Sequence, residues 1–249
     1  MAYRNRSVRF LDNEIPPGVK MLLIVTVGAF LVYFFSDKPL HIDWIVRDWF
    51  GLSPDRVFGS FAIWQLVTWM FLHDTKNIYH ILFSMLTLYW FGPEIERAWG
   101  TRRFVQYYFI CGIGAAILVC LADLLFIHGT PVTIGASGAI FGVMLAFAML
   151  FPDREMLFML IFPLKVKYVV AILAAINLLM SLGGDGGVSY VAHLGGLFVG
   201  WLYFQIRYRR GPSFDPLAAA QGWYKDWKLR RARRKFQVYM NKMDRDRRQ

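Results

Sequence analysis

Six polar side chains stand within otherwise apolar stretches of the sequence and could do chemistry there: His80, Ser84, Asp123, Ser137, Asn177 and His193. Polar and ionisable groups in such runs are costly, so each is a functional hypothesis to be weighed against plain packing. A serine hydroxyl is a weak nucleophile until a base takes its proton, and a neutral imidazole is the suitable base at about pH 7. Ser137 sits in Gly135-Ala136-Ser137-Gly138-Ala139-Ile140-Phe141-Gly142, and His193 in Ala192-His193-Leu194-Gly195-Gly196 with Gly200 beyond. The pairs Gly138/Gly142 and Gly196/Gly200 give two smooth helix faces that can approach closely enough for a serine and a histidine to hydrogen-bond. A serine at the start of a helix also has unpaired backbone N–H groups nearby, which can receive a developing oxyanion. The plainer readings are that Ser137 is a packing residue among glycines and that the histidines are packing groups or proton relays. Asp123, at the end of its run, is expected to reach an interface rather than complete a triad, and Asn177 to bond a neighbouring helix.

The elements that must position these groups follow from composition. The chain has 249 residues, 57% hydrophobic, 17% aromatic and 18% charged. Average soluble domains carry about 25% charged residues, and long uncharged runs indicate that lipid is the solvent. Cys111 and Cys120 fall in one apolar run and are expected to be small core residues rather than a disulfide framework. No Cys/His cluster has zinc spacing and no glycine loop has phosphate-binding form, so neither metal nor cofactor is expected.

Six apolar runs are long enough to read as spans of a bilayer core of about 30 Å: residues 19–35, 78–91, 104–126, 135–151, 168–182 and 188–204. The first exceeds a usual signal-peptide core, and no clear small-x-small cleavage site follows it. Lys and Arg fall on alternate connections: the N-terminus (Arg4, Arg6, Arg9, Lys20), the loop after the second run (Arg97, Arg102, Arg103) and the loop after the fourth (Arg154, Lys165, Lys167). The connections after the third and fifth runs have none, and residues 36–63 are mixed in charge. Six spans with both ends inside satisfy the positive-inside bias throughout. In that arrangement His80, Ser137 and His193 all lie about 6–10 Å below the outer surface at 1.5 Å per helical residue. The expected fold is therefore an all-α polytopic membrane protein, a bundle of six transmembrane helices. Its divisions are a cytoplasmic segment 1–18, a membrane domain 19–207 and a basic cytoplasmic tail 208–249, placed in the cell membrane with both termini cytoplasmic.

These motifs, in this order, resemble those of the rhomboid intramembrane serine proteases. The residues that carry the resemblance are Gly135-Ala136-Ser137-Gly138, Ala192-His193-xx-Gly196, His80-Ile81-Leu82-Phe83, Tyr89 to Glu94, and Trp99-Gly100, within about residues 60–205. The resemblance implies a rhomboid-like bundle in which Ser137 is the nucleophile and His193 its base, a dyad with no required carboxylate. It implies that His80 helps to hold the oxyanion, that Gly135 and Gly138 flank the nucleophile, and that the substrates are transmembrane segments of other proteins. One departure matters: the family commonly carries Asn four residues after the second-span histidine, and here that position is Ser84. One turn separates His80 from Ser84, so they share a face. A serine hydroxyl is a shorter donor than a carboxamide, and losing one oxyanion donor costs about 10²–10³ in rate. Asn77, at the same end of that helix, is a second candidate donor.

Two rival readings are a non-catalytic rhomboid-like protein that binds transmembrane segments for quality control, which Ser84 motivates, and a channel or transporter, which only the in-span His and Asp residues support. No internal repeat favours a transporter. The formal net charge of +11 sits mostly in the tail, where residues 207–249 hold 14 Lys/Arg against 4 Asp/Glu. Trp223, Trp227 and Phe236 interleave with those cations, so the tail is expected to lie on the anionic inner leaflet as a basic amphipathic helix rather than to bind nucleic acid. The substrate and the oligomeric state are not legible.

Overall fold

A computed structural model describes residues 14–158, 162–182 and 188–207, together with Lys228 and Arg231. The chain separates into two compact units, 1–207 and 208–249. The expected N-terminal segment, the glycine turn 183–187 and nearly all of the basic tail lie outside the described residues.

Helix α1 spans Pro17–Asp37, with Pro17 suited to a first-turn position because its missing N–H would be unpaired there anyway. Short helices follow, α2 (Asp43–Phe50), α3 (Pro54–Gly59) and α4 (Gln65–Thr68), the last continuing as a 3₁₀ turn, Trp69–Phe71. Then come α5 (Ile78–Trp99), α6 (Thr101–Ala122) extended by a π-helical turn to Ile127, and α7 (Ser137–Leu150). Strands β1 (Glu155–Phe158) and β2 (Phe162–Lys165) precede α8 (Val166–Leu182) and α9 (Val188–Arg207). Each of the six expected runs is thus a helix. Two of them, Pro17–Asp37 and Thr101–Ile127, are long and apolar enough by length and composition to cross a membrane. Rows of bare apolar side chains run along the outer faces of α1 (Ile24, Val32, Phe35) and α8 (Leu178, Leu179). Exposure on that scale is expected where the outer surface meets hydrocarbon.

Among the described residues, one pair of strands departs from an all-helical reading. Residues 155–158 and 162–165 form an antiparallel hairpin, with Glu155 opposite Lys165. Beside it, Asp153 accepts hydrogen bonds from Lys165 and Lys167, and the two ammonium groups hold its carboxyl below the usual range. Helical periodicity could not reveal this, because the segment is too short and too apolar to show a period.

The middle of the bundle is a seam of small residues between α6, α7 and α9. A methyl group added at Gly196 would lie 1.8 Å from the Gly138 carbonyl oxygen, and one at Gly138 2.7 Å from Ala115 Cβ. At Gly142 it would meet Cys111 Sγ at 2.5 Å, and at Gly200 the Tyr107 hydroxyl at 2.5 Å. That hydroxyl donates to the Gly142 carbonyl at 2.7 Å, tying α6 to α7. Lipid tails are as apolar as the helices, so close packing and internal hydrogen bonds must hold this seam. Cys111 and Cys120 are both buried free thiols.

A second clamp sits at the far end of α5. Glu96, 2% exposed, accepts from the backbone N–H groups of Gly18 (2.8 Å) and Val19 (2.7 Å) and from the Thr101 hydroxyl (2.7 Å). One carboxylate therefore satisfies the free N–H groups at the start of α1 and complements the positive end of its dipole.

Two stability results are expected. Glu96→Gln should cost about 2 kcal/mol, the scale of hydrogen bonds to a charged group, read as a lowered unfolding temperature in detergent. Gly196→Ala should be far more damaging, because the obstructing atom is backbone; a near-parental unfolding temperature for Gly196→Ala would contradict the seam.

Candidate functional site

The segment leading into α7 is pinned at three points by residues distant in sequence. Leu52 and Thr133 exchange both backbone hydrogen bonds at 2.9 Å. Gly135 N–H donates to the Trp69 carbonyl at 2.9 Å, and Ala136 N–H donates to Nε2 of His73 at 3.4 Å. With those two N–H groups engaged, the unpaired donors at the head of α7 begin with Ser137 itself, its first helical residue. Gly135 has φ +129°, a conformation that suits glycine. A Cβ there would stand 2.8 Å from His80 Nε2 and 3.9 Å from Ser137 Oγ. The bare glycine is what lets the His80 ring come up beside the serine.

The roles of the ring nitrogens follow from their partners. His80 Nδ1 accepts from the Asp74 backbone N–H at 3.4 Å, so its proton is on Nε2, the atom facing Gly135. His193 Nδ1 lies 2.6 Å from Asn177 Oδ1. The Asn177 amide is oriented by its own Nδ2–H, which donates to the Leu173 carbonyl at 2.8 Å. An amide oxygen only accepts, so His193 Nδ1 carries the proton and Nε2 keeps its lone pair. The His193 ring stacks on Phe141 with centroids 4.3 Å apart and planes 14° from parallel. Phe141 is one turn beyond Ser137 on the same face of α7, and the neighbouring backbone is close enough that a Cβ on Gly138 would meet the Ala192 carbonyl at 3.2 Å. The imidazole is therefore held beside the first turn of α7.

Of the sequence-expected residues, the structure brings His80, Gly135 and Ser137 together and sets His193 against the same end of α7, with Gly138 in the α7–α9 contact. No direct hydrogen bond joins Ser137 Oγ to His193 among the described residues; in unliganded sites such bonds are often long and tighten around substrate. Ser84 is buried one turn from His80, and no hydrogen bond links it to His80, Ser137 or His193 among the described residues. The Asn77 side chain caps α5, its Oδ1 accepting from Tyr79 N–H at 3.2 Å, and among the described residues no hydrogen bond joins it to His80 or Ser137. Asp123 lies at the end of α6, where its carboxylate accepts from the backbone N–H and hydroxyl of Thr130 and closes the loop there.

Two residues of the site were not legible as such. His73 reads as a loop histidine, yet it is fully buried, its ring 5.0 Å from that of His80. No local pattern points to it, because its partner Ala136 is remote in sequence. Asn177 was expected to bond a neighbouring helix and does so; that the partner is the His193 imidazole was not legible. Among the described residues no three His, Cys, Asp or Glu side chains group closely enough to hold a metal ion.

Comparison with known proteins bears on the same segment. The profile of the Rhomboid domain matches residues 60–210. RHOMBOID-like protein 4 of Arabidopsis thaliana is 31% identical over 176 residues, covering 67% of this chain and 42% of the relative. Putative rhomboid protease YdcA of Bacillus subtilis (strain 168) is 31% identical over 183 residues, covering 72% of this chain and 83% of the relative. Rhomboid-like protease 3 of Toxoplasma gondii is 26% identical over 145 residues, or 56% and 52% of the two chains. The chain spans less than half the length of the plant relative. The matched domain encloses His80, Ser137 and His193, and a bacterial relative is similar along most of its own length; this protein belongs to the rhomboid family of membrane proteins.

Proposed function

We propose that this chain is an intramembrane serine endopeptidase that cleaves transmembrane segments of other proteins with a Ser137–His193 dyad. The observation that carries the reading is the convergence of three groups with complementary roles at the head of α7: a half-buried hydroxyl, an imidazole with a free Nε2 lone pair, and a second imidazole with an Nε2–H donor. Two relatives whose names include "protease" support it.

In this mechanism Ser137 Oγ attacks the scissile carbonyl carbon while His193 Nε2 takes the hydroxyl proton. The carbonyl oxygen becomes an oxyanion, which receives hydrogen bonds from the Ser137 backbone N–H and from His80 Nε2–H. Collapse expels the amine, which takes the proton back from His193, and leaves an ester on Ser137. A water molecule, deprotonated in turn by His193, hydrolyses that ester, and His193 returns the proton to Ser137 Oγ as the acid leaves. Asn177 Oδ1 and the Phe141 face hold the ring through both proton transfers. Ser84 stands one turn behind His80, too short to replace a carboxamide, so the oxyanion depends on the other two donors.

The membrane arrangement belongs to the same proposal. All six long helices span, both termini are cytoplasmic, and the site opens toward the opposite face of the cell membrane. The Lys and Arg distribution supports this orientation. The basic tail 208–249 lies along the anionic inner leaflet.

The test is cleavage of a transmembrane substrate by purified protein in proteoliposomes. Ser137→Ala and His193→Ala should each abolish cleavage with the fold retained; cleavage by Ser137→Ala would refute the assignment. A non-catalytic, segment-binding protein would leave Ser137 unmodified by a fluorophosphonate, whereas the proposed enzyme is labelled there. His80→Ala should lower kcat by about 10²–10³, and Ser84→Ala by less. Gly135→Ala should reduce kcat by about 10² with little change in KM, because the added methyl displaces the His80 donor; an unchanged kcat would count against His80 at the oxyanion.

A further inference from the structure

We infer that Asn177 is a positioning residue for His193: its amide fixes the imidazole as the Nδ1–H tautomer and so supplies the Nε2 lone pair that the proposed dyad requires. The inference rests on the dyad reading above and adds to it a residue from α8.

The argument begins with where Asn177 stands. Helix α8 is strongly apolar, and Ile176, Leu178 and Leu179 around this position are exposed, while Asn177 is 6% exposed. A carboxamide has four hydrogen-bonding capacities, and lipid-facing surroundings satisfy none of them. Here the amide turns inward. One N–H is spent on the Leu173 carbonyl one turn back, at 2.8 Å. The oxygen has the His193 ring nitrogen at 2.6 Å. The backbone carbonyl orients the amide, the amide orients the imidazole, and the only assignment that satisfies both contacts puts the proton on Nδ1. A free imidazole prefers the opposite tautomer, with the proton on Nε2, which could not accept a proton from Ser137.

The choice of amide over carboxylate has a consequence. The groups that face His193 from the elements packed against it are Asn177 on α8, Phe141 on α7 and His80 on α5, with Tyr190 on its own helix. Among the described residues none of these is a carboxylate. Asn177 therefore supplies an orienting acceptor without a charge that would favour the imidazolium. An aspartate would orient the ring equally well and also hold a proton on it, keeping the base protonated to higher pH.

The experiment uses full-length protein in lipid nanodiscs, labelled with ¹⁵N-histidine, with the His193 resonances assigned by their loss in His193→Gln. The parent should show His193 with Nδ1 protonated and Nε2 bare. Asn177→Leu, which keeps volume and suits lipid, should shift His193 toward the Nε2–H form. This readout needs no activity, so it decides the inference even if Ser137 proves unreactive and the protease reading fails. In parallel, Ser137 labelling by a fluorophosphonate should slow about 10-fold or more in Asn177→Leu. Asn177→Asp should recover labelling at high pH, with the acidic limb of its rate profile moved to higher pH by about one unit or more. A His193 spectrum unchanged in Asn177→Leu would overturn the inference. So would parental labelling by Asn177→Leu at every pH, or labelling by Asn177→Asp no better than by Asn177→Leu.

Discussion

Everything at the site depends on how closely two helix backbones approach. Where α7 crosses α9, a methyl on Gly196 would fall 1.8 Å from the Gly138 carbonyl oxygen. A hydroxyl one carbon from the backbone and an imidazole on another helix can work on the same atom only when their main chains nearly touch. The contact is also hard to secure, because hydrocarbon offers no hydrophobic force to drive two apolar helices together. The bundle answers with interlocking small residues on three helices, Gly138 against Ala115, Gly142 against Cys111 and Gly200 against the Tyr107 hydroxyl. The hydrogen bond from Tyr107 to the Gly142 carbonyl adds a directional tie.

Around that crossing, the polar groups are arranged so that each fixes the next. The Trp69 carbonyl and His73 Nε2 occupy the N–H groups of Gly135 and Ala136, which sets the head of α7 and leaves the following donors free. The Asp74 N–H decides which nitrogen of His80 carries a proton, and the Leu173 carbonyl, through Asn177, does the same for His193. Two histidines of identical chemistry thereby take opposite roles, one donor and one acceptor, by virtue of what sits on their far nitrogens. In the proposed reaction, preorganisation of this kind would lower the barrier because no group must turn when charge appears.

The parts of this account legible in the sequence are those with a local signature. Apolar runs gave the six long helices, and the Gly-x-Ser-Gly and Ala-His-x-x-Gly stretches singled out Ser137 and His193 with the small residues beside them. The parts that were not legible depend on contacts between remote residues. His73 stands in a short polar stretch that reads as a loop, and only its closeness to Ala136, 63 positions away, gives it a place at the site. Asn177 reads as an interhelical staple because nothing in its neighbours says which helix it will meet. Asn77 reads as a spare donor, and what the structure adds is that its oxygen also caps the start of α5. The strand pair 155–158 and 162–165 escaped because a short apolar stretch carries no period that separates strand from helix.

The central claim is that one transition-state oxygen is held by Ser137 N–H and His80 Nε2–H while His193 serves the same serine. A structure of the protein with a phosphonate bound covalently to Ser137 reads this directly, because the phosphoryl oxygen stands where the oxyanion would. The account expects that oxygen about 2.7–3.1 Å from both donors, with His193 Nε2 turned toward Ser137 Oγ and Nδ1 still on Asn177. An adduct whose oxygen points away from His80, or no adduct on Ser137 at all, would contradict it.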